Sequence, residues 1–192
     1  MFTEQQIVSI AALAALMGMA LWFSLAARIH FSANSPRRPI LFALEALSLA
    51  ICLGTVWIVA FTPVQSLWRA AVALLAACGA GWLFSSALRA TSKRSFGVVF
   101  GGTVPATIVD HGPYRWIRHP LYVAYLLNWF GCSLLSASPL VWLGTAAVAA
   151  LYVLAARREE RDLLNSSQGP KYAEYRRSTG LFLPRLRSVS KA

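Results

Sequence analysis

Long uncharged stretches, separated by short blocks of charge, limit this chain more than any other feature. Gln5 to Ala27 carries no charged residue, and Glu45 is the only charge between Pro39 and Trp68. Ala70 to Leu88 runs 19 residues without a charge, and Leu121 to Ala156 runs 36. A helix rises about 1.5 Å per residue, so a bilayer core of about 30 Å takes roughly 20 residues. The first three stretches each predict one span. The fourth is too long for one span, and Ser136-Ala137-Ser138-Pro139 lies at its middle. Proline removes a backbone donor where a chain turns, so this stretch predicts a tight helical hairpin. The expectation is an all-α polytopic membrane protein with five transmembrane helices, the last two forming that hairpin. It is read as one membrane-embedded domain over residues 1–192, with three spans in 1–88 and the hairpin and a C-terminal segment in 89–192. Charged residues make up 13% of the chain, against about 25% in a soluble domain. Disorder, a disulfide scaffold and a soluble dinucleotide-binding enzyme are excluded by the same pattern.

The charges also predict an orientation. Alternating the five spans puts 17 of the 18 Lys and Arg on one side and leaves only Arg69 on the other. Basic loops stay cytoplasmic, which places the N-terminus outside and the C-terminus inside. The net charge of +11 then belongs to one face, where anionic lipid headgroups account for it without nucleic acid. The first stretch lacks a basic region before it and exceeds the usual signal-peptide core, so a permanent helix is expected. Cys52, Cys78 and Cys132 sit within apolar stretches, odd in number and widely spaced. They predict thiols packing as small hydrophobes, not a disulfide framework or a zinc site. Glu45 lies inside a span, where lipid exposure is costly, so it is expected to face the bundle.

Polar chemistry gathers at both ends of the hairpin. Gly112-Pro113-Tyr114-Arg115-Trp116-Ile117-Arg118-His119-Pro120-Leu121-Tyr122 precedes it, and Arg157-Arg158-Glu159-Glu160-Arg161-Asp162 follows it. A hairpin returns to the membrane face where it began, so His119, Tyr122 and the Glu159-Glu160 pair should converge at the cytoplasmic mouth. Such a set is expensive to desolvate unless it binds something. Singly, Tyr114, Arg115, Trp116, Arg118 and Tyr122 also suit interfacial anchoring, and the glutamates could pair with neighbouring arginines on a solvated helix end.

Gly112-Pro113-Tyr114, Arg118-His119-Pro120-x-Tyr122 and the later Glu159-Glu160 resemble the isoprenylcysteine carboxyl methyltransferase family, a relation of the phospholipid methyltransferases. Leu163, Gly169, Tyr172, Tyr175 and Pro184 continue the likeness, which covers roughly residues 95 to 185. The resemblance implies an integral membrane enzyme that takes S-adenosyl-L-methionine from the cytosol, methylates a lipophilic small molecule or lipid-modified acceptor, and releases S-adenosyl-L-homocysteine. It implies a catalytic set of Arg118, His119, Tyr122, Glu159 and Glu160. It places cofactor contacts on Ala106, Thr107, Ile108, Val109, Tyr114, His119, Pro120, Leu121, Tyr122 and Glu159, with no metal.

The residue chemistry is compatible with this. A carboxylate suits the cofactor's ammonium, His or Arg suits its carboxylate, and the Tyr114 and Tyr122 rings could face its sulfonium. No dedicated general base stands out, which leans toward an acceptor already ionised, such as a carboxylate. Members specific for prenylcysteine carry an arginine four residues before the first glutamate, where this chain has Ala155. Ala124 replaces a glycine common in the motif. The acceptor is expected to enter sideways from the bilayer, past Ala124, Tyr125, Asn128 and Trp129. A phospholipid N-methyltransferase, a nicotinamide-dependent reductase related to the sterol reductases, and a non-catalytic scaffold are the other readings. Membrane lipid is the expected surrounding partner, with no obligate protein partner.

Overall fold

A computed structural model describes residues 3–30, 39–61, 66–91 and 108–185. The described residues form six α-helices: α1 Glu4–His30, α2 Pro39–Phe61, α3 Leu67–Ala90, α4 Pro120–Ser136, α5 Pro139–Leu164 and α6 Gly169–Ser178. No strand occurs among the described residues, only an isolated parallel bridge between Ile117 and Gly180. Four helices, α1, α2, α3 and α5, are long and apolar enough to cross a membrane. α4 has 17 residues, a rise of about 25 Å at 1.5 Å per residue. The outward faces carry Leu53, Trp57, Leu75, Trp82, Leu140 and Leu143. So much exposed apolar surface is tolerable only where lipid covers it.

Local chemistry fixes the helix ends. The Thr3 amide donates to Gln6 Oε1 at 2.9 Å, and the Gln6 amide donates to Thr3 Oγ1 at 3.3 Å. This reciprocal pair is a capping box and starts α1. Pro120 and Pro139 open α4 and α5, where a missing N–H costs nothing. Between them only Ala137 and Ser138 turn the chain, and Ala137 adopts a left-handed conformation with φ of 51°. Ser133 and Thr145 then join the two arms, their hydroxyls 2.8 Å apart.

α4 lies at the centre, packed most extensively on α3 and also touching α1, α2 and α5. The cause is visible in α3. Ala70, Ala73, Ala77, Ala80 and Ala87 are all buried, with Phe84 completing an alternation of three and four. Lipid tails are as apolar as leucine, so packing of small residues, not expulsion from water, holds spans together. α4 answers with Ala124 and Gly131 on its buried surface. A Cβ on Gly131 would stand 2.7 Å from Leu16 Cδ2 and 3.3 Å from the Ala73 carbonyl.

Two expectations change here. Glu45 does not face the bundle; it is exposed. Leu44, Ile51 and Thr55 are buried in α2, and Glu45 lies about 100° around the helix from Leu44, beside exposed Phe42 and Leu49. Its place roughly two turns from the start of α2 lets a carboxylate reach toward the interface. Cys78 is exposed too, while Cys132 is buried and Cys52 is between.

α5 has 26 residues against the 17 of α4. Because α4 ends and α5 begins at one short turn, the last turns of α5 overhang the start of α4. That overhang carries Glu159 and Glu160 to the level of the segment preceding α4.

Replacing buried Ala77 by Leu should wedge α3 from α4 and cost about 1–3 kcal/mol. Unfolding of the purified protein in detergent measures this. Leu75→Ala, on the lipid face, should change stability by less than about 0.5 kcal/mol.

Candidate functional site

The segment before α4 is held open by its own residues. Gly112 turns the chain with φ of +59°, and Pro113 lies in the short 3-10 turn Gly112–Arg115. Pro120 keeps His119 out of the helical region, at φ −122° and ψ 61°. The extended piece then pairs with the chain after α6. The Gly180 amide donates to the Trp116 carbonyl at 3.2 Å, the Arg118 amide to the Gly180 carbonyl at 2.8 Å, and the His119 amide to the Leu181 carbonyl at 3.3 Å. A Cβ on Gly180 would collide with the Leu183 carbonyl, so the reversal after α6 requires glycine.

Charge locks the same junction. Arg118 Nε donates to Glu160 Oε1 at 2.5 Å, and both side chains are nearly buried. Arg118 Nη1 also donates to the carbonyls of Thr179 and Arg176. Arg176 Nε stands 3.5 Å from the other Glu160 oxygen. A buried ion pair overcomes its desolvation penalty only when further hydrogen bonds complete it, and these partners do so. The Tyr175 hydroxyl donates to the Tyr114 carbonyl at 2.7 Å, tying α6 to the 3-10 turn.

Inside this clasp lie His119, Tyr122 and Glu159. The Tyr122 hydroxyl donates to Glu159 Oε1 at 2.6 Å. His119 Nδ1 is 3.7 Å from Glu159 Oε2, and Nε2 is 3.6 Å from Glu160 Oε1. His119 Nε2 is buried, with no hydrogen bond within 3.5 Å and Glu160 Oε1 just beyond. Burial pulls the His119 pKa below its ordinary value, an effect that the Glu160 carboxylate opposes and the Arg118 charge assists. The ring is therefore neutral at pH 7. It stacks on Tyr122 at 5.4 Å between centroids, and Tyr122 stacks in turn on Tyr152 at 4.8 Å. Phe182 meets both His119 and Tyr122 edge-on. The column continues through Tyr125 to Phe23 and Phe84 in the bundle core.

Arg118, His119, Tyr122, Glu159 and Glu160 are thus brought together. Pro120 and Leu121 are buried at the start of α4. Tyr114 is half-buried, and its hydroxyl pKa is raised first by burial and then by the charges of Tyr175 and Glu159. Ile108 and Val109 are half-buried with irregular backbone, while Ala106 and Thr107 lie outside the described residues. Tyr122 presents its hydroxyl, not an open ring face, because His119 and Tyr152 stack on it. Ala155 is buried and Arg157 and Arg158 are exposed; the arginines at the glutamates come instead from positions 118 and 176. Arg176, Tyr152, Thr179 and Phe182 escaped the sequence reading. Only the spacing of Tyr172, Tyr175 and Arg176 on one short helix hinted at the first. Ala124, Tyr125, Asn128 and Trp129 are all buried, so the acceptor route expected beside them is not an open groove. Among the described residues no group of three His, Cys, Asp or Glu could hold a metal ion.

The sequence profile of the phospholipid methyltransferases matches residues 68–169, more than half of the chain and a span that contains the five clustered residues. The chain belongs to the phospholipid methyltransferase family. It is similar to the cobalt-zinc-cadmium resistance protein CzcN of Cupriavidus metallidurans, 43% identical over 81 residues, 42% of this chain and 37% of that protein. It is 36% identical over 75 residues to a methanethiol S-methyltransferase of Mycobacterium tuberculosis, 38% of this chain and 29% of the relative. A methanethiol S-methyltransferase of Crocosphaera subtropica is 36% identical over 72 residues, 37% of this chain and 27% of the relative. The chain matches only about a third of the length of these relatives. Membership makes this a methyltransferase-family protein embedded in the membrane.

Gly180→Val should break the pairing that holds Arg118 and His119. Trypsin should cut the Arg176-Arg177 stretch at least several-fold faster in the variant than in the parent. Gly79→Ala, where an added Cβ meets nothing within 4 Å, should be neutral or stabilise by up to about 1 kcal/mol.

Proposed function

We propose that the protein is an S-adenosyl-L-methionine-dependent methyltransferase acting on a lipophilic acceptor at the membrane, with a carboxylate as the acceptor group. The observation that carries this reading is the convergence of His119, Tyr122 and Glu159 at the hairpin mouth, within the family-matching stretch. The buried Nε2 of His119 has no hydrogen bond within 3.5 Å and only the 3.6 Å approach of Glu160 Oε1, which leaves it under-satisfied and suited to a bound polar ligand. Glu159 would hold the cofactor's ammonium, His119 Nε2 would meet its carboxylate, and Tyr114 with Ile108 and Val109 would line the remainder. Ala106 and Thr107 are assigned there by the resemblance. S-adenosyl-L-methionine supplies the activated methyl group when bound.

The chain's own work is then positioning. Tyr122 orients Glu159 through its hydroxyl. Arg118 and Glu160 hold the helix ends and the C-terminal chain in register, so they are positioning residues. Burial excludes water from an in-line transfer. Neutral His119 faces two carboxylates and is engaged in the cofactor site, so an acceptor ionised by itself suits the pocket better than an amine, which must first lose a proton. The relatives favour a second reading: two are methanethiol S-methyltransferases, so a short-chain thiol is the other acceptor to test.

The topology belongs to the same proposal. α4 serves as a fifth, short span, the N-terminus lies outside, and the site opens to the cytoplasm, where the donor is dissolved. An apolar acceptor would enter from the bilayer, because exposing each methylene to water costs about 0.8 kcal/mol.

Methyl-label transfer from S-adenosyl-L-methionine to a panel of lipophilic carboxylates, phospholipid amines and short thiols tests the reaction. Binding of S-adenosyl-L-homocysteine with no binding of nicotinamide cofactors is expected. Glu159→Gln should weaken that binding by roughly 10- to 150-fold, the loss of a charge-assisted bond of about 1.5–3 kcal/mol. His119→Ala should also weaken it without unfolding the protein; unchanged affinity in both variants would put the site elsewhere. In a cysteine-free background, cysteines at Thr3 and Ser190 should label from opposite sides of the membrane. Labelling from one side overturns the five-span arrangement.

A further inference from the structure

The site proposed for the cofactor is sealed. The side chains of His119 and Glu159 are only 11% and 16% exposed, and the Nε2 that would meet a carboxylate is buried. A water-soluble donor reaches these atoms only when something covering them moves. Most of that cover is fixed. Tyr122 and Tyr152 are buried residues of α4 and α5, and Glu160 is tied to Arg118. Phe182 differs from them. It stands edge-on to both the His119 and the Tyr122 rings, at 6.1 and 6.4 Å between centroids. Yet it is only partly buried, and it lies in a loop beyond the end of α6.

That loop is pinned at its ends and loose in its middle. Upstream, Arg118 holds the Thr179 carbonyl, and Gly180 pairs with Trp116 and Arg118. Downstream, the Arg185 guanidinium donates to the Arg177 carbonyl at 2.7 Å. Between these pins the Leu181 carbonyl accepts from the His119 amide at 3.3 Å, a bond longer than the usual distance of about 2.9–3.0 Å. Phe182 and Leu183 take part in no backbone hydrogen bond among the described residues, and the Leu183 side chain is exposed. Residues 181–183 can therefore swing outward without unwinding a helix or parting Arg118 from Glu160. We propose that Phe182 is a gate over His119: its ring swings away to admit S-adenosyl-L-methionine, returns over the bound cofactor, and swings again to release the product. The gate rests on the cofactor reading above, and it makes movement of one ring the step that limits cofactor exchange.

The test uses the full chain, purified in a neutral detergent. Stopped-flow fluorescence with S-adenosyl-L-homocysteine measures the association and dissociation rates. Phe182→Ala should raise both at least fivefold and leave the affinity within about threefold, because a gate slows entry and exit alike. Phe182→Leu keeps an apolar side chain in case the alanine variant misfolds, and it should raise both rates by a smaller factor. A second readout needs no cofactor: diethyl pyrocarbonate acylates a neutral imidazole that it can reach. In a His30→Gln/His111→Gln background His119 is the one remaining histidine. There Phe182→Ala should speed its modification at least fivefold, at a melting temperature within a few degrees of the parent. If S-adenosyl-L-homocysteine does not bind the parent, the cofactor reading falls, and the His119 reactivity still decides whether Phe182 gates the site. Equal reactivity in the parent and the folded variants overturns the gate. Faster dissociation with unchanged association also overturns it, since Phe182 would then be a wall of the site.

Discussion

One buried ion pair, Arg118 with Glu160, sets the geometry of everything around it. The two residues lie 42 positions apart, on either side of the hairpin, and meet at 2.5 Å. Arg118 also reaches the carbonyls at the end of α6. A single guanidinium therefore joins the start of α4, the end of α5 and the returning C-terminal chain. Removing either partner would strand a buried charge, which typically costs about 3–5 kcal/mol. His119 and Glu159 are each next in sequence to a member of this pair, so their placement follows from it.

The bundle beneath makes the pair possible. The alanine seam of α3 allows α4 to sit at the centre instead of at an edge, and the two-residue turn at Ala137-Ser138 keeps α5 alongside. Unequal helix lengths then convert a symmetrical hairpin into an overhang that delivers Glu159 and Glu160 above the start of α4. From there an aromatic column runs through Tyr122, Tyr152 and Tyr125 to Phe23 and Phe84, linking the site to the core by contact. A substitution in the column is thus expected to be felt at both ends.

Much of this was legible in the sequence because its causes are periodic or local. The apolar lengths mark the helices, and Pro139 after a short Ser-Ala-Ser run marks the turn. A hairpin of that length brings His119 toward Glu159. What escaped depends on rotation and on distant pairing. Glu45 looked inward because the cost of burying a charge in lipid is easy to state, whereas the phase that puts it outside is fixed by Leu44, Ile51 and Thr55. Arg176 and the Gly180 reversal belong to a segment with no span to anchor it, and their register emerges only when the chain pairs with residues 116–119. The stacking on the Tyr122 ring likewise needs Tyr152, 30 residues away and in a stretch read only as apolar.

The most direct test of the clasp is a double-mutant cycle on Arg118→Gln and Glu160→Gln, read by the affinity for S-adenosyl-L-homocysteine and by unfolding free energy. If the pair acts as one unit, each single variant loses most of both quantities and the double variant loses little more. The coupling should then exceed about 1 kcal/mol, within the range of about 0.5–3 kcal/mol found for residues in one network. Losses that simply add, with coupling below about 0.5 kcal/mol, would contradict the account.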